Sequence, residues 1–345
     1  MKRFLFVVSL VFFCAFPVNA QDISAQSAVV IDADSKTILY EKNAYEQLSM
    51  ASTTKVMTSI IACDYISENG DLLVLITEEM VAVEGSAMGL KSGDKILLSD
   101  LIVGMLLPSG NDCANSVAFA VAGSLENFAV LMNEKASEIG MDNSSFVTPS
   151  GLDADGHYST AFDMALLMAK SLEYPLIANT MSQESIKVTY FCNEYATDLS
   201  VTLENHNKLL TYYEYCTGGK TGYTQKSGRT LVSSATKDDC TLVAVTLNAS
   251  DDWNDQIIMY DTSFAQLKEL VIEESSISVP TAEGMNVNLK TEEISFFCFD
   301  TQTIETKIFL PKFIYYSSYK QGEIVGKIVY YIDGKESETK YILKE

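Results

Sequence analysis

The chain has 345 residues, a mass of 38.0 kDa, 47% hydrophobic residues and a formal net charge of −22 at pH 7. That length and apolar content suit one large domain plus a smaller one, each with its own core. The acidity excludes nucleic-acid phosphates and anionic lipid as electrostatic partners, and it reads as a solubility feature.

Lys2 and Arg3 precede an apolar run, Phe4 to Phe16, too short to cross a bilayer, and Val18-Asn19-Ala20 follows as a cleavage site. This predicts a secretory signal over residues 1–20, a mature chain from Gln21 and an exported, extracellular or cell-envelope protein. Export permits disulfides, yet the six remaining cysteines form no compact framework, so free or partly paired thiols are expected. There is no C-x-x-C, and His157 and His206 are the two histidines, so neither a structural nor a catalytic zinc site is expected. Ser27 to Tyr40 alternates as a hairpin. Helices are predicted from near Ser52, over Ser99–Leu106, from a cap at Asn111 or Asp112 to Gly123, over Glu126–Ile139, and over Ala161–Ser171 behind a Thr160/Asp163 capping box. Strands follow at Ser185–Tyr190, Leu199–Leu203, around Lys220, Thr230–Ser234 and Thr241–Leu247, then a last helix at Asp261–Glu273. Strands at both ends around central helices suggest one sheet closed by the N-terminal hairpin and the later strands. From Ser276 the chain is strand-rich, with candidates at Ile294–Phe299 and Lys312–Tyr316 and a hairpin turning at Asp333-Gly334. The expected division is a catalytic domain over 21–275 and a small β domain over 276–345.

Three short stretches carry chemistry, in this order: Ser52-Thr53-Thr54-Lys55, Ser109-Gly110-Asn111 and Lys220-Thr221-Gly222. Alone each is weak, since Ser-x-x-Lys also begins at Ser92, Ser234, Ser317 and Ser337. If Ser52 opens a helix, Lys55 stands one turn behind on the same face. A serine hydroxyl needs a base, and burial with cationic neighbours lowers a lysine pKa. Ser109 and Asn111 lie at a helix break, where a loop can present a hydroxyl and an amide to a cleft. Lys220 and Thr221 on a strand can grip a carboxylate, and Gly222 lets substrate backbone approach. The N–H groups of Ser52 and Tyr223 can form an oxyanion hole.

This ordered trio, with Leu48–Thr58, Leu106–Asp112, Phe146–Leu152, Asn205–Leu210 and Gly218–Thr224 around it, resembles the serine-type D-Ala-D-Ala carboxypeptidases, the low-molecular-mass penicillin-binding proteins. The likeness runs from about Ala25 to Leu270. It implies a β-lactamase/transpeptidase-like α+β fold: an antiparallel sheet flanked by helices, an all-helical subdomain, and a small all-β C-terminal domain. It also implies removal of the terminal D-alanine from peptidoglycan stem pentapeptides, with β-lactam antibiotics as inhibitors and no metal or organic cofactor. Ser52 would be the nucleophile, Lys55 the base and Ser109 the proton relay. Asn111, Lys220, Thr221, Gly222 and Tyr223 would bind substrate. Two departures stand out. Several family members carry a carboxylate-holding arginine where this chain has Asp251-Asp252-Trp253-Asn254-Asp255, and many end in an amphipathic membrane helix where this chain ends strand-like, so no membrane anchor is expected after signal removal.

Other readings share the trio. A class A β-lactamase needs a deacylating glutamate, and Pro149–Thr160 contains none. A transpeptidase or endopeptidase of the same fold differs only in acceptor or substrate. A non-catalytic β-lactam-binding envelope protein would not need every catalytic position filled.

Overall fold

The computed structural model describes residues 23–299, 303–312, 314–315 and 318–345. The expected signal segment lies outside them. The described chain forms two compact units that divide at Ser263–Phe264.

In the first unit, β1 (Ser27–Asp32) and β2 (Ile38–Lys42) form the expected hairpin, and a 3-10 turn, Ala51–Thr54, leads into α1 (Lys55–Asn69). Then come β3 (Leu73–Leu75), α2 (Glu78–Val81), β4 (Lys95–Leu97), α3 (Leu98–Leu106), α4 (Asn111–Ala122), α5 (Leu125–Ile139), α6 (Ala161–Ser171) and α7 (Pro175–Met181). The hairpin β5 (Ser185–Cys192) and β6 (Thr197–Glu204), the short α8 (Leu209–Tyr212), β7 (Cys216–Thr224), β8 (Gly228–Lys237), β9 (Cys240–Ala249) and α9 (Asp252–Phe264) complete it.

The main sheet is antiparallel in the order β2-β1-β9-β8-β7, so β7 is an edge strand. Alternation along β8 and β9 separates its two faces. Val232, Val243 and Val245 join the large core shared with the helices, and α6 packs against β1, β8 and β9. Ser233 and Ala244 face the other way, toward α9, where Tyr260 Oη meets Ser233 Oγ at 2.8 Å and Gln256 Nε2 donates to the Leu231 carbonyl at 2.9 Å. Helix α1 runs through the middle of the helical layer against α3, α4, α5 and α6, and Val56, Met57, Ile60 and Ala62 are fully buried. Wrapped on all sides, it needs no polar face in its first half, as its sequence shows. A second sheet, β3-β4-β5-β6, stands beside the helices; β5 and β6 were expected as strands, and β3 and β4 were not.

Several expectations shift. Gly110, not Asn111 or Asp112, caps α4, because both side chains are drawn into other bonds described below. At α6, Thr160 Oγ1 accepts from the Asp163 N–H as expected. The Asp163 carboxylate, however, takes the Asn143 N–H and the Ser144 hydroxyl, so only half of the capping box forms. The helix expected at Asp261–Glu273 sits earlier, over Asp252–Phe264, with Asp252 and Asp255 favouring its N-terminus. Leu267–Ile272 is instead β10, drawn into pairing with Ile294–Phe299.

The second unit, from Phe264, is all β. β11 (Ser275–Pro280), β12 (Asn286–Thr291), β14 (Ile304–Phe309), β15 (Ile324–Ile332) and β16 (Lys335–Lys344) form a sheet in the order β11-β12-β16-β15-β14, while β10 pairs with β13 (Ile294–Phe299). Its core includes Leu289, Val325, Tyr330 and Ile342. Asp333 and Gly334 both adopt positive φ, 49° and 78°, as a two-residue hairpin turn requires. The described residues of Lys312–Tyr316 form no strand. Ile314 is buried, and its carbonyl anchors the loop by accepting the Ala282 N–H at 2.8 Å.

One close approach positions the site. Gly151 has φ +84°, and a Cβ there would stand 1.9 Å from the Ala51 carbonyl oxygen. Gly156 has a similar φ, +82°, but its nearest contact would be 3.9 Å away. Gly156→Ala should therefore cost only the left-handed backbone penalty, roughly 1–2 kcal/mol. Gly151→Ala adds a clash and should cost about 3–5 kcal/mol. Equal midpoint shifts in urea unfolding of the two variants would contradict this.

Candidate active site

The turn that carries Ser52 is tightly held. The Met50 carbonyl accepts from Thr53 Oγ1 at 2.6 Å and from Thr230 Oγ1 of β8 at 3.1 Å. Ala51 adopts φ +47°, a conformation that L-residues avoid. Gly222 of β7 lies against this turn: a Cβ there would come within 2.9 Å of the Ser52 nitrogen and 3.0 Å of Ala51 Cβ. A side chain at 222 would thus cover the Ser52 amide. Glycine leaves it accessible beside the edge of β7.

Lys55 opens α1, fully buried. Its Nζ lies 2.9 Å from Ser52 Oγ, 2.7 Å from Asn111 Oδ1 and 2.6 Å from the Ser150 carbonyl. Burial, helped by the charge of Lys220, holds its pKa well below the ordinary lysine value. A neutral amine has two N–H donors and one lone pair. With both donors on the two carbonyl oxygens, Lys55 in its neutral form can turn its lone pair to the Ser52 hydroxyl.

The break between α3 and α4 brings the second stretch. Ser109 is buried with φ +64°. The Asn111 amide bridges two segments, accepting from Lys55 and donating through Nδ2 to the Glu84 carbonyl at 2.7 Å. Asp112, read from the sequence only as a possible helix cap, clasps the neighbouring loop. Its carboxylate accepts the N–H groups of Met88, Gly89 and Leu90 at 2.9, 2.8 and 3.1 Å. An acid in the first turn of a helix that begins after Pro-Ser-Gly was the available signal.

Lys220 of β7 is buried too. Its Nζ donates to Ser109 Oγ at 3.0 Å and to the Thr221 carbonyl at 2.8 Å. Burial pushes its pKa down to about 7. Ser52 and Ser109 thus each contact one buried lysine. Ser52, Ser109, Thr221, Gly222 and Tyr223 line one cleft of about 270 Å³, together with Ser86, His206, Arg229, Asp252 and Trp253. All eight residues singled out from the sequence meet here, with Lys55, Asn111 and Lys220 directly behind the cleft wall. Ser86 was missed, since no motif marks it, and Asp252 and Trp253 were noted only as the stretch that replaces the family's arginine.

These observations coincide with the comparisons. Residues 15–251 match the Peptidase S11, D-alanyl-D-alanine carboxypeptidase, family model. The chain belongs to this family. It is 35% identical over 251 residues to D-alanyl-D-alanine carboxypeptidase DacF of Bacillus subtilis, a match spanning 70% of this chain and 62% of that protein. It is 29% identical over 371 residues to DacC of Escherichia coli, covering 99% of this chain and 89% of that one. Among solved structures it superposes on penicillin binding protein 5 from Haemophilus influenzae with a TM-score of 0.69 at 25% identity, over 95% and 98% of the two chains. As an S11 peptidase fold, the chain has the antiparallel sheet, helical layer and C-terminal β sheets its sequence led us to expect.

His157 supports the turn that carries Ser52. Its Nδ1 accepts the Val147 N–H at 3.0 Å, so Nε2 carries the proton and donates to Thr54 Oγ1 at 3.0 Å, bracing the nucleophile turn. Burial lowers its pKa from 6.5 to about 4. The unfolded chain therefore binds this proton more readily than the folded one. The stabilisation is complete above pH 6.5 and is lost as pH falls toward 4, by roughly 3 kcal/mol. In His157→Gln this component should be absent. Urea unfolding of both proteins at pH 4.5 and 7 checks it, and parallel losses would contradict it.

Proposed function

We propose that this protein is a serine D-alanyl-D-alanine carboxypeptidase of the bacterial cell envelope. It removes the terminal D-alanine of peptidoglycan stem pentapeptides through an acyl-enzyme on Ser52 and is inhibited by β-lactams. The bacterial match spans about three-fifths of the B. subtilis relative's length, so activity, substrate and export are read from the site. The observation that carries the reading is the buried Lys55 amine, 2.9 Å from Ser52 Oγ with its other contacts made to carbonyl oxygens.

The steps follow from the geometry. Ser52 Oγ attacks the penultimate D-Ala carbonyl while Lys55 Nζ takes its proton. The N–H groups of Ser52 and Tyr223, beside the uncovered Gly222, receive the oxyanion. Collapse of the tetrahedral intermediate breaks the C–N bond. Ser109, hydrogen-bonded to Lys220, relays the proton that Lys55 took on to the departing amine, so that Lys55 is neutral again when D-alanine leaves. Water then attacks the ester, Lys55 takes its proton, and Ser52 is regenerated. Asn111 and Thr221 orient the peptide, and Lys220 completes the grip near its carboxyl end. A cleaved signal over residues 1–20 delivers the enzyme across the membrane. The first unit carries the chemistry, and the β-rich second unit is accessory.

Incubation with penicillin followed by mass spectrometry should show a stable adduct on Ser52. The same protein should release D-alanine from diacyl-Lys-D-Ala-D-Ala. Ser52→Ala should lose the adduct and slow release on the order of 10³-fold or more. Rapid penicillin hydrolysis without an adduct, or wild-type release by Ser52→Ala, would contradict the assignment.

A further inference from the structure

The end of the chain departs from the acidity of the rest. Residues 301–345 hold seven lysines and six acidic residues, in a chain whose formal net charge is −22. Strand register gathers part of that charge among aromatic rings. Phe309 of β14 stands opposite Lys327 of β15, and Lys327 stands opposite Tyr341 of β16. Directly opposite residues share a face, so these three side chains form one row across three strands. Their sequence neighbours Ile328 and Ile342 turn the other way, into the core of the second unit, so the row lies on the sheet's outer face. The Lys327 ammonium lies 5.5 Å from the centroid of the Phe309 ring. On the same face the Lys307 ammonium lies 4.0 Å from the centroid of Tyr331.

Beside the row the surface opens into a groove of about 390 Å³, lined by Phe309, Leu310, Pro311, Ile324, Lys327 and Tyr341. Gly326 lets the wall of this groove close in, since a Cβ there would clash with the Phe309 carbonyl oxygen. Tyr341 is 55% exposed and Ile324 54%, so the groove presents apolar surface to solvent. Phe309 and Tyr341 sit on strands either side of β15, with backbones roughly 10 Å apart, a span that suits an extended ligand. An aromatic face beside an ammonium offers two contacts at once, one for C–H groups and one for a carboxylate. A sugar ring that carries an acid presents both. An anionic lipid surface fits less well, because such adhesion takes clusters of about 4–8 basic residues. Here Lys307 and Lys327 share the face with Glu305 and Glu336. A second copy of this chain would bring another strongly negative molecule against the first.

We infer that this outer face of the β-rich unit is a second, non-catalytic binding site, for the glycan strand of peptidoglycan. Sugar rings lie on Tyr341 and in the groove beside Phe309, and the lactyl carboxylates of the strand meet Lys327 and Lys307. This rests on the envelope carboxypeptidase reading and gives the accessory unit a task within it. The stem peptides hang from the glycan polymer, so holding the polymer raises their effective concentration for the catalytic unit.

The test is co-sedimentation of the full mature protein with glycan strands that an amidase has stripped of stem peptides, which leaves the active site nothing to hold and frees the lactyl carboxylates. Ser52→Ala should bind these strands as the wild type does. Tyr341→Ala should bind about 10-fold more weakly, as for loss of an aromatic anchor. Lys327→Gln should bind about 2–5-fold more weakly and with less dependence on salt. Both variants should cleave the soluble peptide diacyl-Lys-D-Ala-D-Ala at the wild-type rate, which also shows that they fold. Equal binding by wild type, Tyr341→Ala and Lys327→Gln would overturn the proposal, as would no binding by the wild type. Binding to phosphatidylglycerol vesicles in place of glycan, or self-association that Tyr341→Ala abolishes, would overturn it in favour of a lipid surface or a second copy. A wild type that binds the strands but leaves the soluble peptide uncleaved would support this site and overturn the carboxypeptidase reading instead.

Discussion

The site depends on one constraint, the burial of the Lys55 amine at the start of a helix that has no solvent-facing side in its first half. An ammonium ion in that position would be costly, and its environment relieves the cost by favouring the neutral form and by giving its hydrogens acceptors. Those acceptors come from distant parts of the chain, Asn111 and Ser150. The helical layer, the α3–α4 break and the loop before α6 must therefore assemble around one nitrogen. Gly151 lets that loop come close enough, and Asp112 fixes the loop on the other side. Fold and chemistry are coupled here because the same hydrogen bonds satisfy the buried amine and aim its lone pair.

A second buried lysine repeats the arrangement with different consequences. Lys220 reaches Ser109 from the edge of the main sheet, and its charge further lowers the pKa of Lys55. Each serine is thus matched with a buried lysine, Ser52 with one from the helix it leads into and Ser109 with one from the edge strand β7. Two residues beside this machinery, Ala51 and Ser109 itself, hold left-handed backbone. Such strain persists only where surrounding bonds over-determine it. The Met50 carbonyl contacts, the Gly222 approach and the Lys220 bond provide that at the two turns.

Much of this was legible in the sequence because it is local. The i, i+3 spacing of Ser52 and Lys55, the Pro-Ser-Gly helix break and the glycines around Lys220 each encode a short-range geometry. The hairpins and α3, α5 and α6 follow from periodicity and capping. What escaped is long-range. The Ser150 carbonyl is a backbone atom with no signature. The place of Arg229 in the cleft depends on the β7–β8 register and on Asp252 and Trp253 at the start of α9. Leu267–Ile272 reads as helix by composition but is a strand because β13 offers it an edge. In the β3-β4-β5-β6 sheet the strands β5 and β6 were legible, but β3 and β4 have three residues each, too few to show alternation.

The most direct measurement is the titration of Lys55 in protein labelled with ¹³C at lysine Cε, its resonance identified by its disappearance in Lys55→Met. The account predicts a midpoint well below the ordinary lysine value, moving upward in Lys220→Gln as the neighbouring positive charge is removed. A Lys55 that titrates at the ordinary value, unmoved by Lys220→Gln, would contradict it, because the amine would then be an ammonium ion and could not take the Ser52 proton.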